Sequence, residues 1–157
     1  MLSHRLLLKS GYISQLSAGI FSFTPMGWRV ISNIKKIIDD EMKKINCFES
    51  NLPVIQPSDI WKQSGRIDSF IPPLANFQDR RDKKMIIAPT HEEAVIDLVK
   101  NYLRSFRDLP FSLYHIQTKF RDETRPRGGL LRVRAVSYTH LRAHETLRYL
   151  VCRLLLE

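Results

Sequence analysis

Apolar and polar positions follow different periods in successive stretches of this chain. Between residues 25 and 45, Trp28, Val30, Ile31, Ile34, Ile37, Ile38, Met42 and Ile45 recur at steps of three and four, while Lys35, Lys36, Asp39, Asp40, Lys43 and Lys44 take the other face. That period predicts a long amphipathic helix. Pro25 suits its first turn, where a missing N–H loses no intrahelical bond. Upstream, residues 6–18 carry apolar side chains at irregular helical spacing, and residues 19–23 read as a short strand or extended link. Residues 48–55 read as a strand with Pro53 inside it, and a proline cannot donate to a ladder, so an edge position or a bulge is expected. Residues 58–64 predict a short helix stopped by Gly65. Residues 77–79 and 85–87 predict a hairpin around the charged turn Arg80-Arg81-Asp82-Lys83-Lys84. Residues 91–103 predict a further helix with Ala94, Val95, Leu98 and Val99 inward. Residues 113–120 alternate as a strand, and residues 121–129 form a polar, basic loop. Helices and non-adjacent strands mix without a βαβ rhythm, so the expected class is α+β, an antiparallel sheet flanked by helices.

Composition narrows the field. With 157 residues, 43% hydrophobic and 26% charged, the chain is globular in character and has room for one domain. Its 25 Lys+Arg against 16 Asp+Glu, formally +9, favour polyanions such as the phosphates of ATP or RNA, or an anionic membrane surface, without choosing among them. Cys47 and Cys152 make neither a disulfide framework nor a CxxC metal spacing, which suggests a reducing compartment and no structural zinc. No apolar run reaches the roughly 18 residues of a membrane helix, and residues 1–9 lack the features of a signal peptide. A cytoplasmic location without membrane association is the expectation.

Two stretches carry chemistry. Lys119-Phe120-Arg121-Asp122-Glu123 is followed by Arg125, Arg127, Gly128, Gly129, Arg132 and Arg134, placing five arginines within fourteen residues. Arginine's planar fork grips two oxygens of a phosphate or carboxylate at once, so this stretch is either a cationic clamp or a solvated basic hairpin tip. Glu123 favours the clamp, because an acid suits a base amino group better than an RNA backbone. The second stretch is Thr90-His91-Glu92-Glu93, which has the form of a capping box, with Thr90 capping the helix and Glu93 reaching back to it. Glu92 would then be left for a substrate, and His91 would be an exposed helix-start residue rather than a ligand.

Phe120-Arg121-Asp122-Glu123 after a strand resembles motif 2 of the class II aminoacyl-tRNA synthetases, and the helix before Phe48 with the strand carrying Pro53 resembles motif 1, their dimer-interface element. Longer blocks are similar to the bacterial-type prolyl-tRNA synthetases. They are Ser3-His4-Arg5-Leu6-Leu7-Leu8-Lys9-Ser10-Gly11-Tyr12-Ile13, Gln56-Pro57, Ile60-Trp61, Ser64-Gly65-Arg66, Ala88-Pro89-Thr90-His91-Glu92-Glu93 and Arg125-Pro126-Arg127. The likeness covers about residues 3–135. It implies a homodimeric enzyme that activates proline with ATP, assisted by Mg2+, and transfers it to tRNA(Pro). It further implies that Thr90 and Glu92 recognise proline, with the carboxylate receiving the secondary ammonium, since a buried cation needs an anionic partner. Arg121 would act as the catalytic residue bridging the proline carboxylate and the ATP α-phosphate, and Glu123, Leu131 and Arg132 would bind ATP alongside it. No metal-ligating residue is implied. Synthetases for threonine, serine or glycine share motifs 1 and 2, and a non-catalytic paralogue that binds RNA is a rival of another class; retention of Glu92, Arg121 and Glu123 argues against the latter.

The likeness stops abruptly. Ser137-Tyr138-Thr139-His140-Leu141-Arg142-Ala143-His144-Glu145-Thr146 is the string that one reading frame of a transposase-type sequencing adapter encodes, and Leu150-Val151-Cys152-Arg153-Leu154-Leu155-Leu156-Glu157 resembles that adapter's far end. The chain accordingly divides into an incomplete catalytic domain at 1–135, holding motifs 1 and 2, and a non-native tail at 136–157. Losing its native continuation, the motif 2 arm is expected to lack its return strand, and the fragment alone to be inactive.

Overall fold

The computed structural model describes residues 1–136. The chain opens with helix α1 (Leu2–Lys9), followed by an antiparallel hairpin of β1 (Ile13–Ser17) and β2 (Ile20–Phe23). The irregular apolar spacing over 6–18 arises because a helix and a strand, with different periods, share that stretch. Next comes α2 (Pro25–Lys44), the long helix that the three-and-four spacing predicts. Thr24 begins it twice over. Its Oγ1 accepts from the Gly27 N–H at 3.3 Å and donates to the Gly11 carbonyl at 2.6 Å, so the capping residue also ties the helix to the hairpin. Gly27 sits where a Cβ would lie 2.0 Å from the Tyr12 carbonyl oxygen, a contact that only glycine permits. Beyond this anchor one side of the helix meets the body of the molecule, where the buried Tyr114 donates through Oη to Asp39 Oδ1. Ile31, Ile38 and Met42 are half-buried, whereas Val30 and Ile34 are exposed and Ile37 is 64% exposed, so one edge of the apolar stripe is left uncovered.

The single strand expected over 48–55 is in fact two short ones, β3 (Phe48–Glu49) and β4 (Ile55–Pro57). Between them Leu52 turns into the core. Its backbone N–H donates to Gln117 Oε1 at 2.8 Å and its carbonyl accepts from Gln117 Nε2, so a side chain replaces a ladder partner. The predicted short helix follows as α3 (Ser58–Gln63). Gly65, at φ +68°, ends it by letting its own N–H donate to the Lys62 carbonyl and the Arg66 N–H donate to the Trp61 carbonyl. The predicted hairpin is β5 (Asn76–Gln78) with β6 (Lys84–Ile87). Asp79 braces its turn by accepting from the N–H groups of Arg81 and Lys83, and β4-β6-β5 form an antiparallel sheet.

Helix α4 (Glu92–Tyr102) supplies the heart of the core. Ala94, Val95 and Val99 pack with Leu52, joined by Ile60, Leu103, Phe111 and Leu113. Leu98, expected inward, is 39% exposed, because the buried stripe is narrow and Leu98 lies at its margin. The strand expected over 113–120 is also split, into β7 (Leu113–Tyr114) and β8 (Lys119–Phe120), where Gln117 leaves the ladder to reach Leu52. β7 runs parallel to β3, a departure from the all-antiparallel expectation, and β8 pairs antiparallel with β9 (Ala135–Val136). The motif 2 arm therefore does have a return strand, two residues long, which straddles the expected boundary at 135. The remaining tail, from residue 137, lies outside the described residues. The α+β class holds, built among the described residues from four small sheets. Among the described residues no helix is long and apolar enough to cross a membrane.

Candidate functional site

A cleft of about 300 Å³ opens between the end of α3, the start of α4 and the chain on either side of β8. Backbone bonds bring these parts together. The Ala88 N–H donates to the Val54 carbonyl at 2.8 Å, and the Ala88 carbonyl accepts from Phe120 at 2.9 Å, so the segment leading to Thr90 is wedged between β4 and β8. Thr90, Glu92, Arg121 and Glu123, four of the residues singled out in the sequence, line the cleft together with Arg66, Phe70, His115 and Lys119. Leu131 and Arg132 do not line it. Leu131 is 76% exposed, and Arg132 is tied to Glu123, whose Oε2 accepts from its Nε at 3.0 Å and its Nη2 at 2.8 Å.

The capping box does not form. His91, not Thr90, is the N-cap residue of α4, and no side chain caps the helix. His91 is fully buried rather than exposed, with its Nε2 3.0 Å from Gln117 Nε2 and its ring edge-on to His115. Burial, and next the Lys119 charge, push its pKa down to about 4 against the Pro53 carbonyl, so the ring is neutral and its Nε2 suits the Gln117 amide as an acceptor. Glu93 likewise turns away from the helix start. Its Oε1 accepts from Arg66 Nη1 at 2.8 Å and from Ser64 Oγ at 3.3 Å, partners that the turn after α3 brings within reach. Burial raises the Glu93 pKa, opposed by a bond from its own backbone N–H and then by Arg66. Glu92 is also engaged rather than left to itself, accepting from Arg66 Nη1 at 2.6 Å.

The cationic side is oriented from the backbone. Arg121 Nε donates to the Pro89 carbonyl at 3.2 Å, which aims the guanidinium along the wall that carries Thr90. Lys119 is buried with its Nζ 3.0 Å from His115 Nε2, and its pKa is lowered by burial and then by Arg121. The cleft thus presents the Glu92 carboxylate, tied to Arg66, at one end and Arg121 and Lys119 toward the other, an arrangement fitted to a zwitterion beside a phosphate. Arg66 and Lys119 stand in stretches that the sequence singles out but carried no role of their own, and His115 was not singled out. Arg66 carried a usable signal, since Gly65 predicts a sharp turn that must aim the next side chain somewhere, while the roles of His115 and Lys119 depend on pairings invisible along the chain. Among the described residues no group of three or more His, Cys, Asp or Glu could hold a metal ion, and Glu123 is already paired to Arg132, so these residues do not make a magnesium site by themselves.

Comparison with known proteins bears on this geometry. Residues 76–144 match the tRNA synthetase class II core domain (G, H, P, S and T). The proline--tRNA ligase of Dehalococcoides mccartyi is 55% identical over 133 residues, which is 85% of this chain and 23% of that protein. The chain therefore spans about a quarter of the length of the curated relatives it matches. Among solved structures, the RNA binding domain of threonyl-tRNA synthetase from Cryptosporidium parvum Iowa II superposes with a TM-score of 0.76 at 24% identity, covering 84% of this chain and 34% of that one. Giardia lamblia prolyl-tRNA synthetase in complex with prolyl-adenylate superposes at 0.75 with 22% identity, covering 83% and 28%. These two likenesses establish the fold. Over 85% of its length the chain is thus similar to the proline--tRNA ligases, and over residues 76–144 it matches part of the class II tRNA synthetase core.

Proposed function

We propose that the complete protein activates proline with ATP and transfers the prolyl group to tRNA(Pro), and that residues 1–135 hold the proline side and part of the ATP side of its active site. The observation that carries this reading is the convergence of Thr90, Glu92, Arg121 and Glu123 on one cleft. Glu92, with Thr90 beside it, receives the secondary ammonium of proline. Arg121 grips the proline carboxylate and the α-phosphate together, so that a carboxylate oxygen attacks phosphorus in line while the bond to pyrophosphate breaks. Glu123 accepts from the adenine amino group, and Arg132, held on Glu123, closes the ATP side with Leu131. Catalysis of this kind is positioning and charge stabilisation, without a covalent enzyme intermediate. Magnesium is proposed to arrive with the ATP phosphates.

The homodimer is proposed to form on the uncovered stripe of α2, and the enzyme to work in the cytoplasm. Residues 136–157 are proposed to be adapter-derived; an independently amplified gene should continue past codon 135 with a different sequence, and one that encodes Ser137-Tyr138-Thr139-His140 in place overturns that reading. The test of function is amino-acid-dependent pyrophosphate exchange by the complete gene product. Proline alone should support exchange; a preference for threonine, serine or glycine, or no exchange with any amino acid, rejects the assignment.

A further inference from the structure

Arg66 meets two carboxylates and two aromatic rings at the cleft, yet its motif carried no assigned role. Its backbone position is set by the turn at Gly65, whose left-handed conformation brings the Arg66 N–H onto the Trp61 carbonyl at 3.1 Å. Its guanidinium lies over the rings of Trp61 and Phe70, at 5.8 and 5.3 Å from their centroids, against a tryptophan that is completely buried and hydrogen-bonded through Nε1 to Gln56. Held so, a single nitrogen, Nη1, meets both neighbouring carboxylates, Glu92 Oε2 at 2.6 Å and Glu93 Oε1 at 2.8 Å. Ser64, one residue before the turn, adds a bond to Glu93.

Two adjacent acids on the first turn of a helix repel one another, and the buried one would either take a proton or drag its neighbour toward whatever cation is near. Arg66 answers both problems. It supplies the counter-charge for Glu93, whose side chain is 2% exposed, and it fixes the direction of Glu92, which is 18% exposed and lines the cleft. We propose that Arg66 is a positioning residue for amino-acid recognition: by pinning Glu92 and Glu93 on one nitrogen it pre-aims the Glu92 carboxylate that receives the substrate's ammonium. The proposal rests on the proline-side reading of the cleft. It assigns the Ser64-Gly65-Arg66 triplet a single task, with Gly65 shaping the turn and its two neighbours gripping the acids. Arg66 acts through Glu92 and need not touch the reacting atoms.

The complete gene product tests this by pyrophosphate exchange with proline and ATP varied separately. Arg66→Ala should raise KM for proline by on the order of tenfold or more, as expected for a lost charged hydrogen bond, with KM for ATP changed by less than about twofold. Arg66→Lys should recover part of the loss, keeping the charge without the ring-stacked plane. Arg66→Ala combined with Glu93→Gln should recover proline affinity relative to Arg66→Ala alone, because removing the unbalanced acid leaves Glu92 without a repelling neighbour. Equal rises in both KM values, or unchanged proline KM in Arg66→Ala, overturn the proposal, as does failure of both rescues. Should Arg66→Ala not fold, judged by circular dichroism, Arg66→Lys carries the test, and a KM for proline equal to wild type then overturns it. A wild-type protein with no proline-dependent exchange rejects the proline reading itself, a result distinct from any of these.

Discussion

Glu92 and Glu93 are neighbours in the chain, but one lines the cleft and the other is sealed beneath it. For Glu92→Ala in the complete gene product, pyrophosphate exchange should show a large rise in KM for proline and little change for ATP; equal effects on both would argue that Glu92 serves the fold instead. Arg121 is held to the Pro89 carbonyl by Nε, leaving its terminal nitrogens to act on ligand. Arg121→Ala should slow adenylate formation by the equivalent of roughly 2.7–4 kcal/mol, the loss typical of one pre-organised donor at a developing charge. Arg121→Lys should restore only part of that rate, since lysine loses both the tie to Pro89 and the fork. His91 makes a prediction about pH. Its folded pKa of about 4 lies below the ordinary 6.5, so the unfolded chain binds more protons between those values. Stability from the neutral ring is then present above pH 6.5 and lost as pH falls toward 4, on the order of 3 kcal/mol in all. Glu93 works oppositely, its raised pKa contributing stability at low pH that fades as pH rises. Urea denaturation of this chain and of His91→Gln separates the two: their difference in stability should grow from pH 4 to 6.5, and a flat difference rejects a neutral buried His91.

At the scale of elements, two glycines do different jobs. Gly65 has nothing within 4 Å of where its Cβ would be, so Gly65→Ala meets only the left-handed backbone penalty of about 1–2 kcal/mol. Gly27 has an ordinary helical backbone but no room, because a Cβ would collide with the Tyr12 carbonyl. Gly27→Ala must lift the start of α2 off the hairpin, which should cost about 1–3 kcal/mol as overpacking does. The two are told apart by amide exchange. Gly27→Ala should speed exchange across β1, β2 and the first turn of α2, whereas Gly65→Ala should act locally at the end of α3 and on Arg66.

At the scale of the whole molecule, α2 leaves an apolar ridge exposed, made by Val30, Ile34 and Ile37. Isolated apolar side chains on a surface are ordinary, but a row of them along one helix face is a surface that another chain would cover. If the proposed homodimer uses it, Ile37→Glu in the complete gene product should shift sedimentation from dimer to monomer at micromolar concentration, by burying a charge without a partner. An unchanged dimer places the interface elsewhere.

How far the chain could be read without its fold follows from the range of the forces involved. The 3.6-residue period of α2, the stop at Gly65 and the hairpin around Arg80-Arg81-Asp82-Lys83-Lys84 are local effects of side-chain patterning and backbone preference, and they were legible in the sequence. The gathering of Thr90, Glu92, Arg121 and Glu123 was legible only through resemblance to a family, since nothing in their spacing brings residues 90 and 121 together. What tertiary structure decided was each place where a long-range partner outbid a local one. Gln117 drew Leu52 out of strand geometry and split two expected strands. Arg66, 27 residues away, took Glu93 from the capping box that Thr90-His91-Glu92-Glu93 spells locally. Burial then made His91 a neutral core residue where its position at a helix start suggested solvent. A buried charge or amide is satisfied by the strongest partner the fold brings near, and that partner is not written in the adjacent residues.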